Sequence, residues 1–347
     1  MGLLLARACV QAGWSVTMWD AGVNQCSPVA GGMLAPFAEL DRCDPLIFDM
    51  GQWGLQHAWP AILADFPEVY FQKRGSLFVS HPKDHAELLR VVALMEHRAS
   101  VCGQTVTGQT VTRDELIQWE PELAHMQHAY YFAEEGSLDN QHFLQVCLQD
   151  VIARGVMFHA KTPVEKLSPH GVQVSGISYS YDWVLDCRGM GAKLDLPDLR
   201  PLRGEIIRLH APQVTLTRPV RVFHPRYVLY IVPRPDHRYL LGATELESSD
   251  TGPISVRSTL ELLTAAYYVH SGFAEARIEE TLTQCRPTFL HHQPELHYQP
   301  GLVRVNGLYR HGFLIAPALA RDVMCKLNQE TMQYVNVWRE HNANFYV

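Results

Sequence analysis

The first twenty-two residues leave few architectures open. Gly2-Leu-Leu-Leu-Ala-Arg7 runs on through Ala8, Cys9 and Val10 as a small apolar helix and stops at Gly13, a residue suited to the turn beyond a helix end. Trp14-Ser-Val-Thr-Met-Trp19 then alternates like a strand and ends at Asp20-Ala21-Gly22. Helix, glycine, strand and terminal acid make the second half of a βαβ nucleotide-binding unit, with Asp20 as the ribose-binding carboxylate. A solvated turn aspartate has the same local sequence. Gly2 reads as the last glycine of a GxGxxG turn, the one that lets helix and strand pack closely. The strand and the two phosphate-facing glycines would then precede Met1. Either the start lies upstream, which is the expectation, or the phosphate cradle has been lost.

A chain of 347 residues can hold two domains of ordinary size. Its 47% hydrophobic and 19% charged residues are those of a globular protein. A net charge of −7 argues against nucleic acid or an anionic membrane as the main partner. Eight cysteines occur without a CxxC, so zinc ribbons and thioredoxin-type chemistry lack support, and free thiols are expected. The opening apolar run has no basic segment before it and is broken by Arg7, so it does not read as a signal peptide. With no stretch long and apolar enough to span a bilayer, a cytoplasmic location is expected.

Further along, Cys26–Glu39 reads as a flexible loop, Cys43–Phe66 as helical, Gly75–Ser80 as a strand and Lys83–Ser100 as an amphipathic helix. Thr112-Arg-Asp-Glu115 is a capping box, and Gln141–Arg154 a helix ended by Gly155. Val156–Lys166, Val172–Tyr181, Trp183–Asp186, Glu205–His210, Val220–Val232 and Tyr239–Gly242 read as strands. Ser255–His270 is a capped helix, Leu302–Asn306 a last parallel strand, and Ala316–Gln329 a last helix. No linker divides the chain cleanly, which predicts interleaved domains.

Several separated blocks carry a resemblance. Gly31-Gly-Met-Leu-Ala-Pro36 with Ala38-Glu39, Pro201-Leu-Arg-Gly-Glu205, Tyr230-Ile-Val-Pro-Arg234 leading to Gly242-Ala-Thr-Glu245, Cys285-Arg-Pro287 and Asn306 to Pro317 stand in one order. Together they resemble the D-amino acid oxidase-like flavoenzymes, and within them the glycine oxidase branch that serves thiamine biosynthesis. The resemblance implies FAD as cofactor, a small amino acid or amine as substrate and O2 as acceptor. It implies that Arg286 binds the substrate carboxylate bidentately, a task for which a guanidinium fork is the physical match. Arg310 is implied as a second carboxylate contact and Tyr230 as a phenol donor to the substrate. Around the flavin it implies Gly2, Asp20, Ala21, Cys26, Ser27, Gly31, Gly32 and Met33, Val164 as a backbone contact to adenine, and the loop Leu308, Tyr309, Arg310, His311, Gly312, Phe313 and Leu314. Backbone amides of that loop can offset the negative charge of a reduced flavin. Two departures, Phe289-Leu-His-His292 after the Arg-Pro block and Val228 where relatives carry histidine, bear on substrate fit.

The expected fold is therefore α/β: a Rossmann-like FAD domain of the glutathione-reductase type (residues 1–71, 137–203 and 284–347) interleaved with a substrate domain on a mixed, antiparallel-rich sheet (72–136 and 204–283). The expected reaction is oxidative deamination of glycine to glyoxylate and ammonia with H2O2, through an imine. A flavin enzyme for sarcosine or a D-amino acid, and a remnant without FAD, are the alternatives. No metal site is expected, because His291, His292 and His297 lack HExxH or companion carboxylates. A GxSxG elbow is likewise absent. Oligomeric state stays open.

Overall fold

In the computed structural model, residues 1–101, 103, 105, 108–126, 128–224 and 227–340 are described. The opening helix spans Gly2–Gln11 and leads into the strand Thr17–Trp19, which pairs in parallel with Met157–His159. Val184–Asp186 pairs in parallel with Leu302–Asn306; Glu295–Gln299 follows antiparallel and Trp338–Glu340 parallel to it. Helices Pro45–Trp53 and Gly312–Leu327 share the largest apolar core with these strands. Trp59, fully buried there, meets Phe143 edge-on at 5.2 Å, and its indole N–H donates to the Phe313 carbonyl at 3.2 Å. A large aromatic is kept inside because its one polar atom finds a partner.

The second layer is an eight-stranded sheet ordered Arg277–Thr288, Arg200–His210, Arg238–Gly242, Tyr227–Arg234, Val220–His224, Ser76–Ser80, His128–Phe132 and Gly108–Val111. All its neighbours run antiparallel except Val220–His224 against Ser76–Ser80. The mixed, antiparallel-rich sheet is as expected. Its own core lies under helix Val256–Val269, whose N-cap Ser255 accepts from the Ser258 amide. The longest ribbon, Arg200–His210 against Arg277–Thr288, pairs from Arg200 opposite Thr288 to His210 opposite Arg277 within this one sheet.

Several expectations need correction. The segment Cys26–Glu39 is not all loop: it holds the strand Met33–Leu34 and the short helix Pro36–Glu39. Val172–Tyr181 is a hairpin of Gly171–Val174 and Ile177–Ser180, and Val220–Val232 is likewise two strands. Val156–Lys166 keeps only Met157–His159, and a separate strand covers Lys166–Ser168. The last helix begins at Gly312, four residues early, and holds Pro317 in its interior; the Phe313 carbonyl, which an amide at 317 would have met, accepts from the Trp59 indole N–H at 3.2 Å instead. Arg277–Thr288, mostly polar along its first half, carried no alternation to reveal it and is held by its partner instead. The capping box at Thr112 and Glu115 forms as expected. The seven described cysteines are free thiols; Cys102 lies outside the described residues.

Candidate functional site

Three stretches of chain converge around Arg286 on the long ribbon. Arg286, on the ribbon, stands opposite Leu202. A Cβ on Gly204 would lie 2.3 Å from the Arg286 Cζ, so the glycine of the Pro201–Glu205 block is what leaves room for the guanidinium. One Nη of Arg286 donates to the Thr244 carbonyl at 3.0 Å. Among the described residues no carboxylate reaches ion-pair distance from it, although its charge is felt at Tyr230, Tyr309, Glu245 and Cys26.

Tyr230 lies on Tyr227–Arg234, separated from the ribbon by strand Arg238–Gly242, and stands opposite Gly242. Its ring fills the space that Cβ atoms would take at Gly31 and Gly242, 3.1 and 3.0 Å from the ring edge. Burial raises its phenol above the ordinary value against the opposing pull of Arg286 and Arg310, so it stays a neutral donor. The Gly31 carbonyl accepts from Arg234 at 2.7 Å, which fixes the Gly31–Gly32 turn against this strand. Met33 follows, paired with Ser137 and half-buried. Val228 falls on the same strand as Tyr230, but its side chain lies outside the described residues.

The third stretch is the loop between strand Leu302–Asn306 and helix Gly312–Leu327. Tyr309 turns through a left-handed φ of 51°, with its amide on the Pro287 carbonyl at 3.0 Å and its hydroxyl donating to Glu245 at 2.8 Å. Arg310 is already engaged: its Nε donates to Glu39 at 2.8 Å, one Nη to Glu245 at 3.1 Å, and Asp41 lies 3.9 Å away. Burial pushes the Glu39 carboxyl up, but Arg310, His311 and Arg221 outweigh it and hold it well below the usual carboxylate range. Glu245 is likewise held at about 2, where burial is outweighed chiefly by Arg310. Helix Pro36–Glu39 is pinned from below by Glu135, which accepts from the Ala38 amide at 2.9 Å and from the Ser76 hydroxyl.

The remaining expected residues lie along the parallel-strand layer. Asp20 ends its strand as foreseen, with one oxygen accepting from the Gly22 amide at 2.7 Å and the other from Gln25 at 2.8 Å. Ala21, half-buried, begins that turn. Gly2 opens its helix against Cys187. The Cys26 thiol donates to the Cys285 carbonyl at 2.9 Å, which ties this loop to the strand of Arg286, and the Ser27 carbonyl accepts from Asn140. Val164 packs half-buried on Val172 and Leu302 beside Trp19. Leu308 and Phe313 pack on the main core, and Leu314 is buried in it.

These surroundings fit a flavin dinucleotide. Helices Gly2–Gln11 and Gly312–Leu327 both open without an acidic residue in the first turn and without a side-chain cap, which leaves their amides for an anion. Glu39, Glu245 and Gly204 were overlooked as working residues, although the blocks that carry the resemblance contain all three. Their signal was the glutamates' presence beside glycines that make room for other side chains. His291 and His297 lie against Glu295, at 3.2 and 2.9 Å, not in a ligand cluster.

Comparison with known proteins bears on the family and the fold. The family model described as DAO, FAD dependent oxidoreductase, matches residues 1–325. A Rhizobium etli protein named for the thiamine biosynthesis oxidoreductase ThiO is 35% identical over 339 residues, covering 96% of this chain and 95% of that protein. Among solved structures, iminodiacetate oxidase from Chelativorans sp. BNC1 superposes with a TM-score of 0.84 at 21% identity, covering 98% of this chain and 96% of that one. Glycine oxidase from Geobacillus kaustophilus gives a TM-score of 0.81 at 19% identity over 97% and 95% of the two chains. These two likenesses establish the fold.

Proposed function

Because the chain belongs to the DAO family of FAD-dependent oxidoreductases, we propose that it oxidises glycine, or an amino acid nearly as small, with O2 as acceptor. The balance is glycine, O2 and water giving glyoxylate, ammonia and H2O2, with the imine as the first product. The name of the Rhizobium etli relative supports use of that imine in forming the thiazole of thiamine.

Arg286 is the observation that carries the reading. It is a half-buried cation whose one hydrogen bond among the described residues goes to a backbone carbonyl, with no carboxylate at ion-pair distance among them. A substrate carboxylate supplies the missing charge, and the planar fork fixes its orientation. The Tyr230 hydroxyl adds a neutral donor beside it. A flavin held here would supply the acceptor for the hydride of the substrate α-carbon. The task of the chain is to hold that carbon still and keep water away. Paired to Glu39 and Glu245, Arg310 is proposed as a brace for the loop in place of the second carboxylate contact that the resemblance implies. In this reading Gly2, Asp20, Ala21, Cys26, Ser27, Gly31, Gly32, Met33, Val164 and the loop Leu308–Leu314 hold the cofactor. The domains divide at 1–71, 137–203 and 284–347 against 72–136 and 204–283, and the protein works in the cytoplasm. No described helix is long and apolar enough to cross a membrane.

The test is anaerobic reduction of the bound flavin by a panel of amines. Glycine and sarcosine should reduce it faster than bulky D-amino acids, because pocket volume sets side-chain tolerance while the arginine serves every carboxylate alike. A tenfold preference for D-proline or D-alanine overturns the assignment to glycine.

A further inference from the structure

The carbonyl that holds Arg286 is free to do so because a side chain has taken its place in the sheet ladder. Arg203 and Leu246 exchange both amide–carbonyl bonds, at 2.8 and 3.0 Å. Two residues along each strand, the antiparallel pattern sets Glu205 opposite Thr244 and predicts two more such bonds. One forms, from the Thr244 amide to the Glu205 carbonyl at 3.3 Å. The other does not. The Glu205 amide donates to the Thr244 hydroxyl at 3.0 Å, and the Thr244 carbonyl accepts from Arg286, also at 3.0 Å. That contact is the one hydrogen bond of Arg286 among the described residues.

The hydroxyl is itself locked. It donates to Glu205 Oε2 at 2.9 Å, so Thr244 meets Glu205 through its amide, its hydroxyl oxygen and its hydroxyl proton together. Side chains alternate faces along a strand. Gly204 leaves its face to the Arg286 guanidinium, and Glu205, fully buried, points to the other, where Ile207 and Leu209 enter the core under helix Val256–Val269. There Arg203 donates twice to Glu205 Oε1, at 2.9 and 2.6 Å, and the Ser255 amide adds a bond at 3.3 Å. A buried ion pair contributes little net stability compared with apolar side chains of the same size. What this one does is fix one carboxylate oxygen so that the other meets the Thr244 hydroxyl.

We propose that Thr244 and Glu205 are positioning residues for substrate binding: the Thr244 hydroxyl, locked by Glu205 on the far side of the sheet, stands in for a ladder carbonyl and releases that carbonyl to aim the Arg286 fork. The inference rests on Arg286 as the carboxylate clamp, and neither residue touches substrate. A guanidinium tied through one Nη keeps its Nε and other Nη as an open edge, the edge that a carboxylate meets with two parallel bonds. Without the hydroxyl, the Glu205 amide has only the Thr244 carbonyl to turn to. The ladder closes and Arg286 loses its tie.

The test is acetate binding to the holoenzyme, followed through the flavin absorbance, in wild type, Thr244→Val, Thr244→Ser and Arg286→Ala. Thr244→Val keeps the side-chain shape and removes the hydroxyl. It should bind acetate about five- to tenfold more weakly, about what one hydrogen bond contributes, with flavin content as in wild type. Thr244→Ser, which keeps the hydroxyl, should recover most of that loss. Wild-type acetate affinity in Thr244→Val, with Arg286→Ala weakened, overturns the inference and leaves the glycine reading standing. Wild-type affinity in Arg286→Ala overturns the clamp itself and this inference with it. Loss of flavin in Thr244→Val marks a structural role and also overturns it. Should Thr244→Val not fold, Glu205→Gln decides. Acetate weakened at least about threefold with flavin retained supports the link, and a smaller change or loss of flavin overturns it.

Discussion

Arg286 and Arg310 lie close enough for both to act on Tyr230 and Glu245, yet the chain treats them oppositely. Arg286 rises from a strand over a missing Cβ and spends its fork on one backbone carbonyl. Arg310 hangs on a loop and is answered by two carboxylates with a third close by. An arginine with its charge already matched gains little from a new anion, whereas one that is half-buried and unmatched gains much. In the proposed function this difference separates substrate recognition from bracing within a single residue type.

The largest expected effect falls on the unmatched arginine. Arg286→Ala should lower kcat/KM for glycine by about 30-fold to several thousand-fold, the roughly 2–5 kcal/mol of a buried charge-assisted contact. Flavin content should stay near wild type, and Arg286→Lys should not restore turnover because an ammonium lacks the fork. Gly204→Ala, whose new Cβ meets the guanidinium at 2.3 Å, should reproduce part of the loss with the charge still present. Wild-type glycine turnover in Arg286→Ala would sink the distinction between the two arginines.

Arg310→Ala should act on stability instead. Its side chain is 17% exposed, so the cost lies between that of a surface and a buried ion pair, about 1–3 kcal/mol by urea unfolding at neutral pH. The pH dependence sharpens this. Glu245 and Glu39 have folded-state pKa values below their ordinary 4.5, so the stability they contribute is complete above about pH 4.5. It is lost as pH falls toward about 2, the value for Glu245. Arg310→Ala should flatten that acid slope. Unchanged stability together with a raised KM for glycine would return Arg310 to the substrate clamp.

Tyr230→Phe is the smallest of the three. Removing one neutral hydroxyl donor should cost about 0.5–1.5 kcal/mol, or roughly 2- to 12-fold in kcat/KM, with the ring still filling the space between Gly31 and Gly242. A loss as large as that of Arg286→Ala would make Tyr230 an equal partner in binding.

What could be read without the structure follows the range of the interactions concerned. The opening helix and strand, Asp20 at the strand end and the Thr112 capping box were legible because period and caps are local, set within a few residues. The blocks around Gly31, Gly204, Tyr230, Glu245, Arg286 and Arg310 marked the family, and their order along the chain was enough for that. The sequence could not say which arginine is answered by acids. Glu39 and Glu245 stand 271 and 65 residues before Arg310, and only the packing of helix Pro36–Glu39 and the turn after Gly242 brings them to it. Nor could it show that Gly204 clears a space for a side chain on the neighbouring strand, since that depends on register. The polar strand Arg277–Thr288 was hidden for a related reason: its conformation is imposed by cross-strand hydrogen bonds, whereas apolar alternation records only burial. Residue chemistry was decided by the sequence. Whether each charge is spent or free was decided by long-range packing, because electrostatic pairing acts through space and is indifferent to distance along the chain.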